Sequence, residues 1–137
     1  MQNNAFYSNI TWNLKGRLYR LDRPRVMGIL NLTPDSFYAG SRLTHESEVL
    51  QCASQMVKEG ADLLDIGGYS TRPGAAGVTE KEEARRVLPA IRLLAEKFPQ
   101  IPLSIDTFRS SVARQAVDAG ATLVNDVAGG EMDTRMM

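Results

Sequence analysis

The chain has 137 residues, 43% hydrophobic and 23% charged, which suits one ordinary core and leaves too little for two large domains. Lys plus Arg number 16 and Asp plus Glu number 16, so no charge excess draws the chain to nucleic acid or to an anionic membrane. No apolar run approaches the roughly 20 residues that span a bilayer. Residues Met1–Asn13 have neither the basic start nor the apolar segment of a secretory leader, and a single cysteine, Cys52, forbids an internal disulfide. The cytoplasm is the expected setting.

Residues 1–9 are polar and read as a loose tail. Ile10, Trp12 and Leu14 alternate, Lys15-Gly16 reads as a turn, and Leu18, Tyr19 and Leu21 follow, which predicts a β-hairpin. Tail and hairpin occupy residues 1–23, ahead of a second unit over 24–137. In that unit Val26–Asn31, Leu63–Gly68, Leu103–Asp106 and Thr122–Asp126 are short apolar runs without clean alternation, the pattern of strands buried on both faces. Helical periodicity lies between them. Residues 45–59 put Val49, Cys52, Ala53, Met56 and Val57 on one face and end at Gly60. Residues 79–97 open on a capping-box spacing, Thr79 to Glu82. Val87, Leu88, Ile91, Leu94 and Ala95 form their stripe, and Pro89 is expected to bend or split the helix. Residues 109–118 carry Val112, Ala113, Ala116 and Val117, and Gly120 stops them. The charged run Lys81–Arg86 and His45 read as solvated, and Cys52 as core. Strand alternating with helix means βα units on a parallel sheet. An open doubly wound sheet also fits, but polar residues at the end of every strand favour a (β/α)8 barrel, whose rim collects the site.

Each strand exit carries candidate chemistry. Asn31 opens the first, with an amide able to orient an anion or a metal-bound water, and Thr33-Pro34-Asp35-Ser36 follows as turn sequence. Gly67-Gly68 opens the second, where paired glycines allow close backbone approach to a ligand. Ser70, Thr71 and Arg72 then offer hydroxyls and a guanidinium suited to phosphate. Asp106 ends the third, a carboxylate able to accept two N–H donors from a heterocycle edge or to cap the next helix; Thr107 could take the capping role instead. Asn125-Asp126 ends the fourth with the same two readings. No zinc-ligand spacing, phosphate loop or dinucleotide fingerprint is present.

Met27-Gly28-Ile29-Leu30-Asn31-Leu32-Thr33-Pro34-Asp35-Ser36-Phe37 and Asp65-Ile66-Gly67-Gly68 with Ser70-Thr71-Arg72-Pro73-Gly74-Ala75 resemble the two long signatures of the dihydropteroate synthase family. Ser104-Ile105-Asp106-Thr107 and Val124-Asn125-Asp126 match its next strand ends, so the resemblance runs over residues 10–135. It implies an α/β fold: the first four βα units of a TIM (β/α)8 barrel, preceded by a β-hairpin and truncated at the C-terminus within a fourth helix. It also implies a Mg2+-dependent transferase of folate biosynthesis that joins 4-aminobenzoate to a pterin methyl diphosphate. By position, Asp106 and Asn125 would hold the pterin edge, and Asn31 the Mg2+ and pyrophosphate. Thr71 and Arg72 would lie near the leaving group and the aminobenzoate, Pro73 and Phe37 would enclose its ring, and Asp35 would act from the first loop. Asp35 and Arg72 are the catalytic candidates, and sulfonamides would compete at the aminobenzoate end. Two departures are visible: Tyr69 stands where many members have Glu, and the family's later Asp, Lys and Arg-x-His motifs do not occur in this sequence. A half-barrel with open edges is expected to associate with itself or with a missing half, and to turn over little alone. Two alternatives remain: a non-catalytic pterin-binding module, and a methyltransferase-type pterin domain, against which the first two loops argue.

Overall fold

In the computed structural model the described residues are 10–33, 42–69 and 77–136, with the side chains of the first helix described from residue 45. Near the N-terminus the alternating segment folds back at Lys15-Gly16, where φ is 50° and 85°, the positive pair that a two-residue hairpin turn requires. Strands β1 (Thr11–Leu14) and β2 (Arg17–Arg20) pair antiparallel, with Trp12 opposite Tyr19.

The rest is a four-stranded parallel sheet with helices in the connections. In chain order these are β3 (Met27–Asn31), α1 (Arg42–Lys58), β4 (Leu63–Gly67), α2 (Glu80–Lys97), β5 (Leu103–Asp106), α3 (Ser110–Ala119) and β6 (Leu123–Asn125). The strands lie side by side in sequence order, β3-β4-β5-β6. A doubly wound sheet reverses its strand order at a switch point; this sheet does not, and its topology is that of successive βα units of a barrel. Each predicted strand and the first three predicted helices are present, with ends shifted by a few residues, as is usual for element boundaries.

Alternation divides each strand between two environments. Leu30, Leu64, Ile66, Leu103 and Ile105 face the helices and form one core with Val49, Ala53, Val87, Ile91, Leu94, Val112 and Ala116. Met27, Ile29 and Asn31, Leu63, Asp65 and Gly67, Ser104 and Asp106, and Leu123 and Asn125 share the opposite, inner face, as the register dictates. The expectation that every strand is buried on both faces therefore fails at the margins. Strand β4 is buried throughout, but Ile29 on β3 and Val124 on β6 are exposed because each strand pairs on one side only.

The hairpin sits at the N-terminal end of this sheet. Lys15 donates to the carbonyl of Val117, and Arg17 donates to the Pro99 carbonyl and to Gln100 Oε1 at 3.0 and 2.8 Å. Asp62, just ahead of β4, accepts from Arg23, Arg25 and the Val26 backbone, and the hydrogen bond from Arg23 leads the causes that hold its carboxyl below the usual range.

Two expectations need correction. Helix α2 runs unbroken through Pro89; the proline lacks an N–H for one helical bond, but Val87, Ala90, Ile91 and Leu94 around it are buried and hold the helix on the sheet. After β6 the described residues form turns, not a fourth helix. Asp126 accepts from the backbone of Ala128 and Gly130 at 2.9 and 2.8 Å, and Gly129 and Gly130 take positive φ, a closure that competes with helix.

Gly60 and Gly120 end α1 and α3 with φ of 109° and 129°. A Cβ on Gly60 meets open space, whereas one on Gly120 would stand 2.7 Å from the Cβ of Ala95. Gly60→Ala should therefore cost about 1–2 kcal/mol for backbone alone, and Gly120→Ala about 2–4 kcal/mol because overpacking adds to it. Urea titrations with unchanged slope would check this, and equal midpoints for the two variants would contradict it.

Candidate active site

The parallel register sets four residues at one level of the inner face. Asn31 pairs with Gly67, Gly67 with Asp106, and Asp106 with Asn125. All lie at the C-terminal ends of their strands, the rim where (β/α) barrels carry their chemistry. Gly67 leaves the middle of this row open. A Cβ there would stand 3.5 Å from Asp106 Oδ2 and 3.6 Å from Asn31 Oδ1, so the two side-chain oxygens converge on the space that Gly67 vacates. Gly68 does something else: its missing Cβ would meet Val87 Cγ1 at 2.8 Å and the Glu83 carbonyl at 3.2 Å. The second glycine admits helix α2, not a ligand, which corrects the expectation for the pair.

One level below lie Ile29, Asp65, Ser104 and Leu123. Asp65 is buried, and its Oδ2 accepts from Asn125 Nδ2 at 3.0 Å. No donor among the described residues reaches the side chain of Asp106. Burial pushes its carboxyl up, and the negative charges of Asp65, Glu83 and Asp126 push in the same direction. The rim is thus rich in acceptors and negative in potential.

The ambiguities at the third and fourth exits resolve by hydrogen bonding. Thr107 Oγ1 accepts from Arg109 N at 3.2 Å, and Asp133, from far along the chain, accepts from Ser110 N at 2.9 Å and from its hydroxyl at 2.7 Å. Asp106 is left for the cleft. Asp126 closes the turn after β6, and Asn125 alone joins the site.

Sequence reasoning missed an ion pair beneath the second exit. Glu83, in the run read as solvated, is completely buried and pairs with Arg109. Arg109 also donates to the Val78 carbonyl at 2.7 Å, while Arg86 donates to the Gly68 carbonyl at 3.1 Å. The two guanidiniums therefore fasten the chain on both sides of the second predicted loop. Arg109 lies 5.6 Å from the Tyr69 ring centre and 4.6 Å from that of Phe108, and these rings meet edge to face at 5.4 Å. Tyr69, where the resemblance expects a carboxylate, thus stacks in a cationic–aromatic cluster. Thr79 Oγ1 caps α2 by accepting from Glu82 N at 3.2 Å. The Glu82 carboxylate turns to Arg85 and Arg86 instead of reaching back, and Arg85 first, then Arg86, pulls its carboxyl down to about 2. His45 is half-buried, not fully solvated, and Cys52 is half-buried against the core.

Of the predicted site residues, Asn31, Asp106 and Asn125 come together. Asp35, Phe37, Thr71, Arg72 and Pro73 lie outside the described residues. Among the described residues no group of three or more His, Cys, Asp or Glu could hold a metal by itself. No described helix is long and apolar enough to cross a membrane.

Residues 27–137 match the family model described as pterin binding enzyme. The chain belongs to that family. It is 46% identical over 115 residues to a dihydropteroate synthase of Clostridium beijerinckii, covering 84% of this chain and 42% of that protein. Its structure matches that of the Xanthomonas albilineans dihydropteroate synthase with 4-aminobenzoic acid at a TM-score of 0.82 and 48% identity, over 91% of this chain and 45% of that one. The Burkholderia cenocepacia dihydropteroate synthase complexed with 7,8-dihydropteroate matches at 0.75 and 42%, over 91% and 40%. The chain thus spans less than half the length of these relatives, in keeping with a sheet that holds four consecutive strands of a barrel.

Two predictions follow from the charges at this pterin-family rim. Arg109→Met strands the Glu83 carboxylate in the core and should cost about 3–5 kcal/mol; adding Glu83→Gln should restore much of it, as a double-mutant cycle in urea would measure. Asp106, with its carboxyl raised, holds its proton more firmly folded than unfolded. Its contribution to stability is full below the ordinary carboxylate range and is lost as pH rises through the shifted value. Asp106→Asn should therefore raise Tm at about pH 7 and lose that advantage towards about pH 3; a gain independent of pH would refute the assignment.

Proposed function

We propose that this chain supplies the pterin-holding strands of a dihydropteroate synthase. That enzyme condenses 4-aminobenzoate with 6-hydroxymethyl-7,8-dihydropterin diphosphate to give 7,8-dihydropteroate and pyrophosphate. The observation that carries the reading is the pair of adjacent acceptors, Asp106 and Asn125, level with each other on β5 and β6. A pterin presents amino and ring N–H donors along one edge, which side-chain oxygens can accept. The relatives solved with 4-aminobenzoic acid and with 7,8-dihydropteroate support the two ends of the site.

In the reaction the arylamine nitrogen attacks the pterin methylene carbon, the carbon–oxygen bond to diphosphate breaks, and the amine loses a proton. Asp106 and Asn125 orient the ring. The negative rim opposes a diphosphate unless cations separate the charges. Arg72 and Thr71 take that role for the leaving group, Pro73 and Phe37 enclose the aminobenzoate, and Asp35 acts from the first loop; these five assignments rest on the sequence resemblance. Asn31 fits a Mg2+ site, because the ion prefers hard oxygen donors and is often held by one or two protein groups together with substrate phosphates. When bound, Mg2+ would supply charge neutralisation of the leaving diphosphate. The single acceptor-lined wall also favours a second reading, a module that binds pterin without turnover. A cytoplasmic setting, sulfonamide competition, and association through the one-sided strands β3 and β6 belong to the same proposal.

Calorimetric titration with 6-hydroxymethylpterin tests it. The 137-residue chain should bind at micromolar level, and Asp106→Ala should weaken binding about tenfold or more. It should show no synthase turnover alone and should self-associate in light scattering. No binding by a folded chain would remove the pterin reading; turnover by a monomer would remove the claim of dependence on further barrel strands.

A further inference from the structure

Asp65 is only 2% exposed, on the inner face of β4 one level below Asp106 and Asn125. A carboxylate sequestered to this degree needs donors. Among the described residues one is present, Asn125 Nδ2 on Oδ2 at 3.0 Å, and Oδ1 has none. The neighbouring hydroxyl of Ser104, level with Asp65, is likewise buried without a partner. Leu63, on the same face one step earlier, shows that the inner side of β4 accepts an apolar side chain. Packing alone gives no reason for an acid at this position.

The hydrogen bond decides what Asn125 can offer. Carboxylate oxygens accept and an amide NH2 donates, so the nitrogen turns towards Asp65. The amide oxygen, on the other side of the same planar group, receives no donor among the described residues. Asp106, the register partner of Asn125, also presents oxygens. Two adjacent strand ends then display acceptors together.

We propose that Asp65 is a positioning residue that fixes Asn125 as an acceptor, and thereby selects heterocycles whose edge carries N–H donors over analogues that place an acceptor there. The inference rests on the pterin reading above and extends it to specificity. Without Asp65 the amide can rotate and present its NH2, and a site built to pair with donors then loses its main means of rejecting the wrong edge.

Asp65→Asn and Asp65→Leu test this by calorimetry against 6-hydroxymethylpterin and its lumazine counterpart, in which a carbonyl oxygen replaces the 2-amino donor. The wild type should prefer the pterin, Asp65→Leu should lose about tenfold of that preference, and Asp65→Asn, whose amide oxygen can still accept from Asn125, should lose less. Melting temperature separates this from a structural role: it should hold or rise, since a buried carboxylate with an unpaired oxygen is removed. Independently of any ligand, the Asn125 side-chain NH2 should be protected from hydrogen exchange in the wild type and exchange freely in Asp65→Leu. An unchanged preference in a folded Asp65→Leu variant that still binds pterin would overturn the positioning role alone, as would an Asn125 NH2 insensitive to the leucine. Failure of the wild type to bind pterin would instead take down both readings.

Discussion

Strand register is the constraint on which the rest depends. Parallel pairing without a slip puts Asn31, Gly67, Asp106 and Asn125 at one level. Because side chains alternate with a period of two, a slip of one residue on any strand would exchange its faces. Ile105 would then replace Asp106 at the rim, and the acid would turn to the helix-facing side of the sheet. The apolar residues that face the helices therefore fix the polar row as firmly as they fix the core. The site inherits its geometry from hydrophobic burial on the far side of the same strands.

That arrangement gathers acids. Asp65, Glu83, Asp106 and Asp126 lie near enough for three of them to raise the fourth. Each is handled differently: Glu83 by the guanidinium of Arg109, Asp65 by one amide hydrogen bond, and Asp126 by two backbone donors. Asp106 alone keeps its oxygens for the cleft. Charges buried with incomplete partners oppose folding, and their concentration at one rim marks where stability has yielded to recognition. At the opposite end basic groups lead: Lys15 donates to α3, Arg17 to the turn after α2, and Arg23 and Arg25 pair with Asp62, contacts that hold the N-terminal segment against the sheet.

Strands, helices, hairpin and polar strand ends were legible in the sequence because each leaves a local signal: alternation, a 3.6 period, a Lys-Gly turn, a Gly stop. Asn31, Asp106 and Asn125 could be found because each ends an apolar run. Glu83 was missed although its signal was present. It precedes Val87, Ile91 and Leu94 at helical spacing and so continues the buried stripe, but a run of mixed charge hides a single acid on the wrong face. Its partner Arg109 is 26 residues away, and no local pattern links them. Asp65 was legible as part of a motif but not as the partner of Asn125, because that contact crosses an intervening strand and exists only once the register is set. The turn after β6 escaped for a similar reason: Asp133 reaches back to α3 and Asp126 folds the chain on itself, so the helical continuation expected from barrel topology loses to specific side-chain bonds.

The division of charge carries a functional consequence. The strand ends display acceptors and negative potential, which suit a donor-rich heterocycle and oppose a diphosphate. Nearby guanidiniums are already engaged, Arg109 with Glu83 and Val78 and Arg86 with Glu82 and Gly68. Positive charge for a leaving group must therefore come from elsewhere than these two, and the loop residue Arg72 and a cation at Asn31 are the sources that the proposed reaction requires. Recognition and reaction are then carried by different kinds of element. In the proposed reaction residues on paired strands would hold the ring in fixed orientation, because the register that places them cannot move without unfolding the core. There the charge that lets a bond break would have to come from the connecting loops and a bound cation, because the strand ends offer acceptors.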